Sequence, residues 1–124
     1  MALLESGEMY LEAIYVLSQE SSTVRGIDVG DYLGYSKPSV SRALGLLRDQ
    51  GLIIRDNDGF IKLTEAGEAK ASNIYERHTV LTRMLLNLGV DEETASEDAC
   101  RIEHYISDTT FNAIKKHMKE HTEA

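Results

Sequence analysis

The spacing of apolar residues changes period near residue 52, and this change restricts the fold more than any other feature of the sequence. Three earlier stretches repeat apolar residues at intervals of three and four, which predicts amphipathic helices at residues 8–19, 27–33 and 37–50. Gly34 can end the second helix and Ser36 can cap the third. Between Leu52 and Leu63, two short apolar runs flank an Asp-Gly turn, which predicts a β-hairpin. Helix, tight turn, helix and hairpin in this order predict a winged helix-turn-helix.

After Leu63, the sequence predicts helices and no further strand. Thr64 and Asp91 can cap the first two of these helices, and Asp108 can start the third. The first of these helices should end at Gly89, and the second should reach about Ser107. The predicted fold class is therefore mainly α with a small β-hairpin, divided into a winged helix-turn-helix over residues 1–64 and a helical domain over residues 65–124.

The composition is typical of a folded protein of the cell interior. The 124 residues are 42% hydrophobic, which is enough to bury a core. No apolar run approaches the roughly 18 residues that a membrane span requires, and the N-terminus carries Glu5 and Glu8 where a signal peptide would be basic. Cys100 is the only cysteine, so no intramolecular disulfide can form. We expect a cytoplasmic protein.

The net charge of −8 argues against nucleic-acid binding, but its distribution weakens that argument. Residues 21–62 carry six basic and five acidic side chains, whereas residues 63–124 carry seven basic and twelve acidic ones. The predicted helix-turn-helix can therefore present a locally basic face to DNA.

The third helix is expected to be the recognition helix, because its first turns are polar and cationic. Hydroxyls at a helix N-terminus suit phosphates, Arg42 can reach a phosphate or a guanine edge, and Pro38 can contact a thymine methyl group. Arg55 is expected to lie along the DNA backbone, although Asp56 and Asp58 make the hairpin tip unfavourable there. Alternatively, the Ser-Lys-Pro-Ser stretch only caps a helix in a small α+β module. The predicted DNA-binding residues are Ser36, Lys37, Pro38, Ser39, Ser41, Arg42 and Arg55.

A second group of residues has the spacing of metal ligands. Cys100, Glu103 and His104 lie at i, i+3 and i+4, so on a helix they present a thiolate, a carboxylate and an imidazole on one side. Two other predicted helices supply further candidate donors: Met9, Glu12 and His78. Each residue taken alone also has a structural explanation in packing, solvation or hydrogen bonding. His117 and His121 share ligand spacing, but they are expected to be solvated on a fraying tail.

Several separately spaced motifs resemble those of the diphtheria toxin repressor and manganese transport regulator family. They are Glu8-Met9-Tyr10-Leu11-Glu12, Leu63-Thr64 with Gly67, Arg77-His78, Gly89-Val90-Asp91 and the run from Asp98 to His104. The resemblance covers essentially the whole chain. It implies a homodimer whose winged helix binds palindromic operator DNA as a repressor, and whose second domain dimerises and shares a metal site with the first helix.

Carried over by position, the resemblance also assigns the metal ligands. It implies that one ion is bound by Met9, Cys100, Glu103 and His104. Glu12 and His78 would form an adjacent second site, as in the manganese branch, with Glu103 and Cys100 as candidate bridging ligands. Thr82 and Ser96 occupy two positions of the ancillary site of the iron branch, so that site is expected to be lost. We expect no SH3-like third domain.

The donor set is compatible with more than one ion and with more than one class of protein. Oxygen donors suit Mn(II), whereas the sulfur of Met9 and Cys100 favours Fe(II), so we expect Fe(II) first and Mn(II) next, with Co(II), Ni(II) or Zn(II) as substitutes in vitro. A metal-independent winged-helix regulator that responds to an organic effector or a protein partner would share the first 64 residues. A small metallohydrolase would need an open metal position and a free base, which so many protein ligands disfavour. We therefore expect no enzyme activity, no organic substrate and no membrane partner.

Overall fold

The computed structural model describes residues 5–122. Within that range the chain forms six helices and one antiparallel two-stranded hairpin, so it is mainly α as predicted. The elements are α1 (Glu5–Glu20), α2 (Gly26–Leu33), α3 (Lys37–Asp49), β1 (Ile53–Arg55), β2 (Ile61–Leu63), α4 (Glu65–Asn87), α5 (Glu92–Ile102) and α6 (Asp108–Thr122). None of these helices is both long and apolar enough to cross a bilayer.

The chain forms two compact units that divide within α4. The first unit ends at Ser72 and contains α1, α2, α3 and the hairpin. The second begins at Asn73 and contains α5 and α6.

The first three helices pack around an apolar centre in the first unit. Leu11 and Ile14 of α1 have no exposed surface, and neither does Val29 of α2. Leu47 of α3 is 1% exposed. The glycine that ends α2, Gly34, has φ 75°, a left-handed conformation in which a side chain would be strained. The predicted tight turn between α2 and α3 is confirmed.

The hairpin is held in place by a side chain within its turn and by a backbone contact outside it. Its register pairs Ile53 with Leu63, Ile54 with Lys62 and Arg55 with Ile61. In the turn, Oδ1 of Asp56 accepts hydrogen bonds from the backbone N–H groups of Asp58 at 2.9 Å and Phe60 at 3.0 Å. The N–H of Ile61 donates to the carbonyl of Val24 at 2.7 Å, which ties the hairpin to the loop before α2.

Gly67 allows α4 to start directly against the hairpin. The hydroxyl of Thr64 donates to the carbonyl of Gly51 at 2.6 Å and accepts from the N–H of Gly67 at 3.0 Å, so it caps α4 as predicted. A Cβ at Gly67 would lie 1.9 Å from the carbonyl oxygen of Leu52. Because the obstacle is backbone, no flexible side chain can move to make room.

In the second unit, α5 ends earlier than the apolar spacing predicts. Asp91 caps it as expected, and the hydrogen bond from the N–H of Thr94, at 3.0 Å, lowers the pKa of this carboxyl. The last helical residue is Ile102, so the prediction of a helix reaching about Ser107 is wrong. The hydroxyl of Ser107 instead accepts from the N–H of Thr110 at 3.1 Å and caps α6. A residue that caps the next helix cannot also continue the previous one.

Replacing Gly67 with alanine should lower the free energy of unfolding by about 1–3 kcal/mol, because the new methyl group would displace the backbone at Leu52. Urea denaturation of the purified chain measures this. The matched control is Gly45→Ala within α3, where an added Cβ meets nothing within 4 Å and should stabilise the helix by roughly 0.5–1 kcal/mol. Equal stability of Gly67→Ala and the wild type would contradict this account of the junction.

Candidate functional site

Three side chains with metal-binding atoms meet where α5 ends. Cys100 lies in the last turn of α5, Glu103 is the C-cap of the helix, and His104 follows in the turn. The sulfur, a carboxylate oxygen and a ring nitrogen of these residues all lie within 4.8 Å of one another. The expected i, i+3, i+4 spacing therefore brings them together, although only Cys100 is in regular helix.

The carboxylate of Glu103 is buried, which is unusual for a charged group. Glu103 is 1% exposed and is the one buried polar or charged residue found between residues 7 and 121. Its Oε2 lies 3.0 Å from Nδ1 of His78, and its Oε1 lies 3.4 Å from Nε2 of His104. Oε1 accepts no hydrogen bond from any residue that the structure describes. Burial of such an oxygen costs roughly 1–3 kcal/mol unless something else satisfies it.

Arg77 shapes the turn that follows α5. Its Nη1 donates to the backbone carbonyls of Glu103 at 3.2 Å and Ile106 at 2.7 Å. Its Nη2 pairs with the carboxylate of Asp108, and its guanidinium lies 5.3 Å from the ring centroid of Phe111. These donors satisfy carbonyls that the end of a helix leaves without partners. In the sequence, Arg77 is recognisable only as part of a motif, and this positioning role was not predicted.

The other predicted donors lie on two helices. His78 belongs to α4, where the hydroxyl of Thr82 donates to its backbone carbonyl at 2.7 Å. The side chain of His78 is 27% exposed. Met9 and Glu12 lie on α1 in the first unit, three residues apart and partly buried. Their spacing puts them on the same side of that helix.

The atoms at the end of α5 suit a divalent transition metal. A thiolate is a soft donor, an imidazole is borderline and a carboxylate is hard, so together they favour ions such as Fe(II) over Mg(II) or Ca(II). The unsatisfied Oε1 of Glu103 provides the independent test of this fit, because a cation would supply the partner that this oxygen lacks.

The predicted recognition helix, α3, has one buried face and one polar face. Val40, Leu44 and Leu47 form its buried face. The side chains expected to contact DNA lie outside that face, with Ser39 partly buried and the others exposed: Ser36, Lys37, Pro38, Ser41 and Arg42. Ser36 caps the helix by accepting from the N–H of Ser39 at 3.4 Å, and its first turn has no acidic residue.

Arg55 lies next to this polar face. Its Nη2 is 3.8 Å from the position that a Cβ would occupy at Gly26, so the side chain extends toward the start of α2. It lines a groove of about 150 Å³ together with Lys37 and Ser41. Arg55 ends β1 directly before the hairpin turn, as expected, and its side chain also lies beside the predicted recognition helix.

Arg25 is a further cation of the first unit that was not predicted as a DNA-binding residue. It immediately precedes α2, and its guanidinium lies 4.7 Å from the ring centroid of Phe60 at the base of the hairpin turn. Stacking of arginine on an aromatic ring holds the charge at a defined place on the first unit. Arg25 and Phe60 are 35 residues apart in the sequence, and no sequence pattern indicates that they stack.

Tyr10 connects α1 with the start of α3 inside the first unit. It lies between Met9 and Glu12 in the sequence, and its ring centroid is 5.6 Å from that of Tyr35, the residue before the cap of α3. Burial raises the pKa of Tyr10 above its ordinary value, and Tyr35 adds to the rise while Arg42 opposes it. The helix that carries two predicted ligands thus contacts the beginning of the recognition helix.

Two family models match the chain. The iron dependent repressor N-terminal DNA binding domain matches residues 2–59, and the iron dependent repressor metal binding and dimerisation domain matches residues 64–124. The chain belongs to the iron-dependent repressor family. The resemblance and the fold class predicted from the motifs are confirmed. The family models are named for iron, the relatives are named as repressors or transcriptional regulators, and one similar solved structure is named a manganese regulator.

Three members of the iron-dependent repressor family that are similar to this chain are longer than it. It is 29% identical to the diphtheria toxin repressor of Corynebacterium diphtheriae over 119 residues, which are 95% of this chain and 53% of that protein. It is 36% identical to the transcriptional regulator MntR of Escherichia coli O157:H7 over 112 residues, 90% of this chain and 72% of MntR. The manganese regulator SloR superposes with a TM-score of 0.82 at 27% identity, covering 96% of this chain and 55% of SloR. The chain spans about half the length of the first and the third.

Replacing Glu103 with glutamine should stabilise the metal-free protein by roughly 1 kcal/mol, because an amide can donate where the carboxylate oxygen accepts nothing. The same variant should gain no stability from added Mn(II). Urea unfolding with a chelator and with Mn(II) measures both effects. The control is Glu97→Gln, an exposed glutamate of α5, which should behave as the wild type in both conditions. Destabilisation of metal-free Glu103→Gln would mean that the carboxylate has a structural role instead.

Proposed function

We propose that this chain is a metal-dependent transcriptional repressor that binds operator DNA when Fe(II) or Mn(II) is bound, and that it controls genes of metal uptake or metal homeostasis. The observation that carries the proposal is the buried carboxylate of Glu103, which lies between Cys100 and His104 with one oxygen unsatisfied. Membership in the iron-dependent repressor family supports the same function.

The proposed metal ligands are Met9, Glu12, His78, Cys100, Glu103 and His104. Bound there, the ion supplies positive charge that neutralises the buried carboxylate. The sulfur donors favour Fe(II) over Mn(II), and Co(II), Ni(II) or Zn(II) are expected to substitute in vitro. The names of similar proteins support both iron and manganese, since they include an iron-dependent repressor IdeR and the manganese regulator SloR.

Metal dependence of DNA binding requires that the two equilibria be linked. A ligand strengthens the binding of a second ligand only to the extent that it favours the same conformation. If Met9 and Glu12 complete the coordination, metal binding restrains α1, and Tyr10 of that helix contacts Tyr35 beside the recognition helix. We infer that this contact carries part of the coupling.

The proposed DNA-binding residues are Ser36, Lys37, Pro38, Ser39, Ser41, Arg42 and Arg55, to which the stacked Arg25 is added. The helix-turn-helix arrangement suits a homodimer on a palindromic operator, with half-sites about one helical turn, or 34 Å, apart. A regulator of this kind acts on chromosomal DNA, so we propose a cytoplasmic location and no catalytic activity.

The decisive experiment is a DNA-binding titration of the metal-free protein with Fe(II) and Mn(II) in parallel, under anaerobic and reducing conditions. DNA from upstream of its own gene neighbourhood serves as the probe. Binding that appears only with metal, and at lower Fe(II) than Mn(II), supports the proposal. Equal binding with and without metal would instead favour a metal-independent winged-helix regulator, and activation by Mn(II) alone would reverse the assigned preference.

Replacing His104 with alanine should abolish metal-dependent DNA binding, because it removes a ligand next to Glu103. Typical allosteric coupling is roughly 5- to 150-fold in affinity, and that increase should disappear in a gel-shift assay. Folding and dimerisation should persist, as checked by circular dichroism and size-exclusion chromatography. The control is His117→Ala, an exposed histidine of α6. Unchanged activation of His104→Ala would remove this residue from the sensor.

Replacing Arg42 with alanine should weaken operator binding by about tenfold or more without changing metal affinity, since loss of one base or phosphate contact costs about 1–3 kcal/mol. Fluorescence anisotropy with labelled operator DNA measures the change. Arg83→Ala removes the same charge from an exposed position of α4 and should have little effect. Operator binding by Arg42→Ala equal to that of the wild type would exclude α3 as the recognition helix.

A further inference from the structure

His117 and His121 form a pair of exposed imidazoles near the end of α6, outside the cluster at the end of α5. Their ring centroids lie 3.9 Å apart with an interplanar angle of 26°, so the two rings are stacked. Residues four apart on a helix lie on one face, one turn above the other. Two imidazoles so placed can approach one ion from the same side.

A hydrogen bond fixes the tautomer of one of these rings. Nδ1 of His121 lies 2.8 Å from the backbone carbonyl oxygen of His117. A carbonyl oxygen can only accept, so Nδ1 carries the proton, and Nε2 of the neutral ring keeps its lone pair. Metal-binding histidines usually have their second nitrogen held in this way, which orients the ring and sets the tautomer. His121 is therefore prepared as an Nε2 ligand.

We propose that His117 and His121 form a separate metal site that takes a divalent ion with a preference for imidazole, such as Ni(II), Cu(II) or Zn(II). Within the described residues, no further histidine, cysteine or carboxylate donor joins the pair within 4.8 Å. Water therefore completes the coordination. The site differs in kind from the cluster of Cys100, Glu103 and His104, which combines sulfur, oxygen and nitrogen.

The donor chemistry predicts which ions this site binds. A site of two imidazoles without a carboxylate selects against Mn(II), whose affinity is lowest in the first-row series, and favours Cu(II) above Ni(II) and Zn(II). An ion held by both rings would also bridge successive turns of α6 and hold the end of the helix in place. This inference is independent of the proposed function, because it involves none of the proposed regulatory ligands.

Equilibrium dialysis of the full chain with Ni(II) tests the proposal. Ni(II) is the probe because Cu(II) can oxidise the thiol of Cys100. The double variant His117→Gln/His121→Gln should bind one fewer Ni(II) per chain than the wild type. Either single variant should bind Ni(II) at this site at least about tenfold more weakly. Loss of an outer-shell partner alone costs roughly tenfold in metal affinity, and here a direct ligand is lost. Metal-dependent DNA binding by the double variant should be unchanged.

Two further variants separate chelation from a general effect of histidine. Ala113→His combined with His121→Gln restores a spacing of four residues one turn earlier in α6, at an exposed position, and should restore the lost Ni(II). Lys116→His combined with His117→Gln keeps two histidines at a spacing of five and should not. Equal Ni(II) stoichiometry in the wild type and the His117→Gln/His121→Gln variant, or failure of the restored spacing to recover binding, would overturn the proposal.

Discussion

A buried carboxylate with an unsatisfied oxygen is the constraint on which the second unit depends. Glu103 has one oxygen 3.0 Å from Nδ1 of His78, while the other accepts no hydrogen bond among the described residues. Its position follows from the early end of α5, after which Arg77 donates to the carbonyls of the turn. A group held in this way destabilises the fold unless a cation reaches it, and the proposed metal ion would offset that cost in stability. Cys100 lies close enough to share that cation.

In the first unit, local helix caps and one apolar centre determine which side chains are exposed. Ser36 starts the recognition helix, whose polar face stays exposed while Leu47 and its neighbours are buried. The helix that carries the proposed ligands Met9 and Glu12, α1, contacts the start of α3 in part through Tyr10 and Tyr35. Because Tyr10 is buried, a restraint on α1 reaches the start of α3 through packed atoms rather than through solvent.

The sequence predicted the helices and the hairpin well, because their signals are local. Thr64 and Asp91 cap the helices that they were expected to cap, since a cap requires only a hydroxyl or carboxylate near the first free N–H groups. The end of α5 was missed because the donor that satisfies carbonyls in the turn after it, Arg77, is 26 residues away from Glu103. The groove that Arg55 shares with Lys37 and Ser41 has no local sequence signal either, since it depends on the packing of three elements. The residue types in the sequence indicate which side chains can be metal ligands, whereas the burial of those side chains depends on the folded chain.

The account rests on a metal ion at Glu103, and anomalous diffraction from crystals grown with Fe(II) or Mn(II) locates such an ion directly. The account predicts an anomalous peak at bonding distance, about 2.0–2.3 Å, from the carboxylate of Glu103 and from Cys100 or His104. It also predicts that α1 contributes a ligand to the same ion. A fully loaded crystal with no peak beside Glu103, and with its carboxylate still buried, would contradict the account.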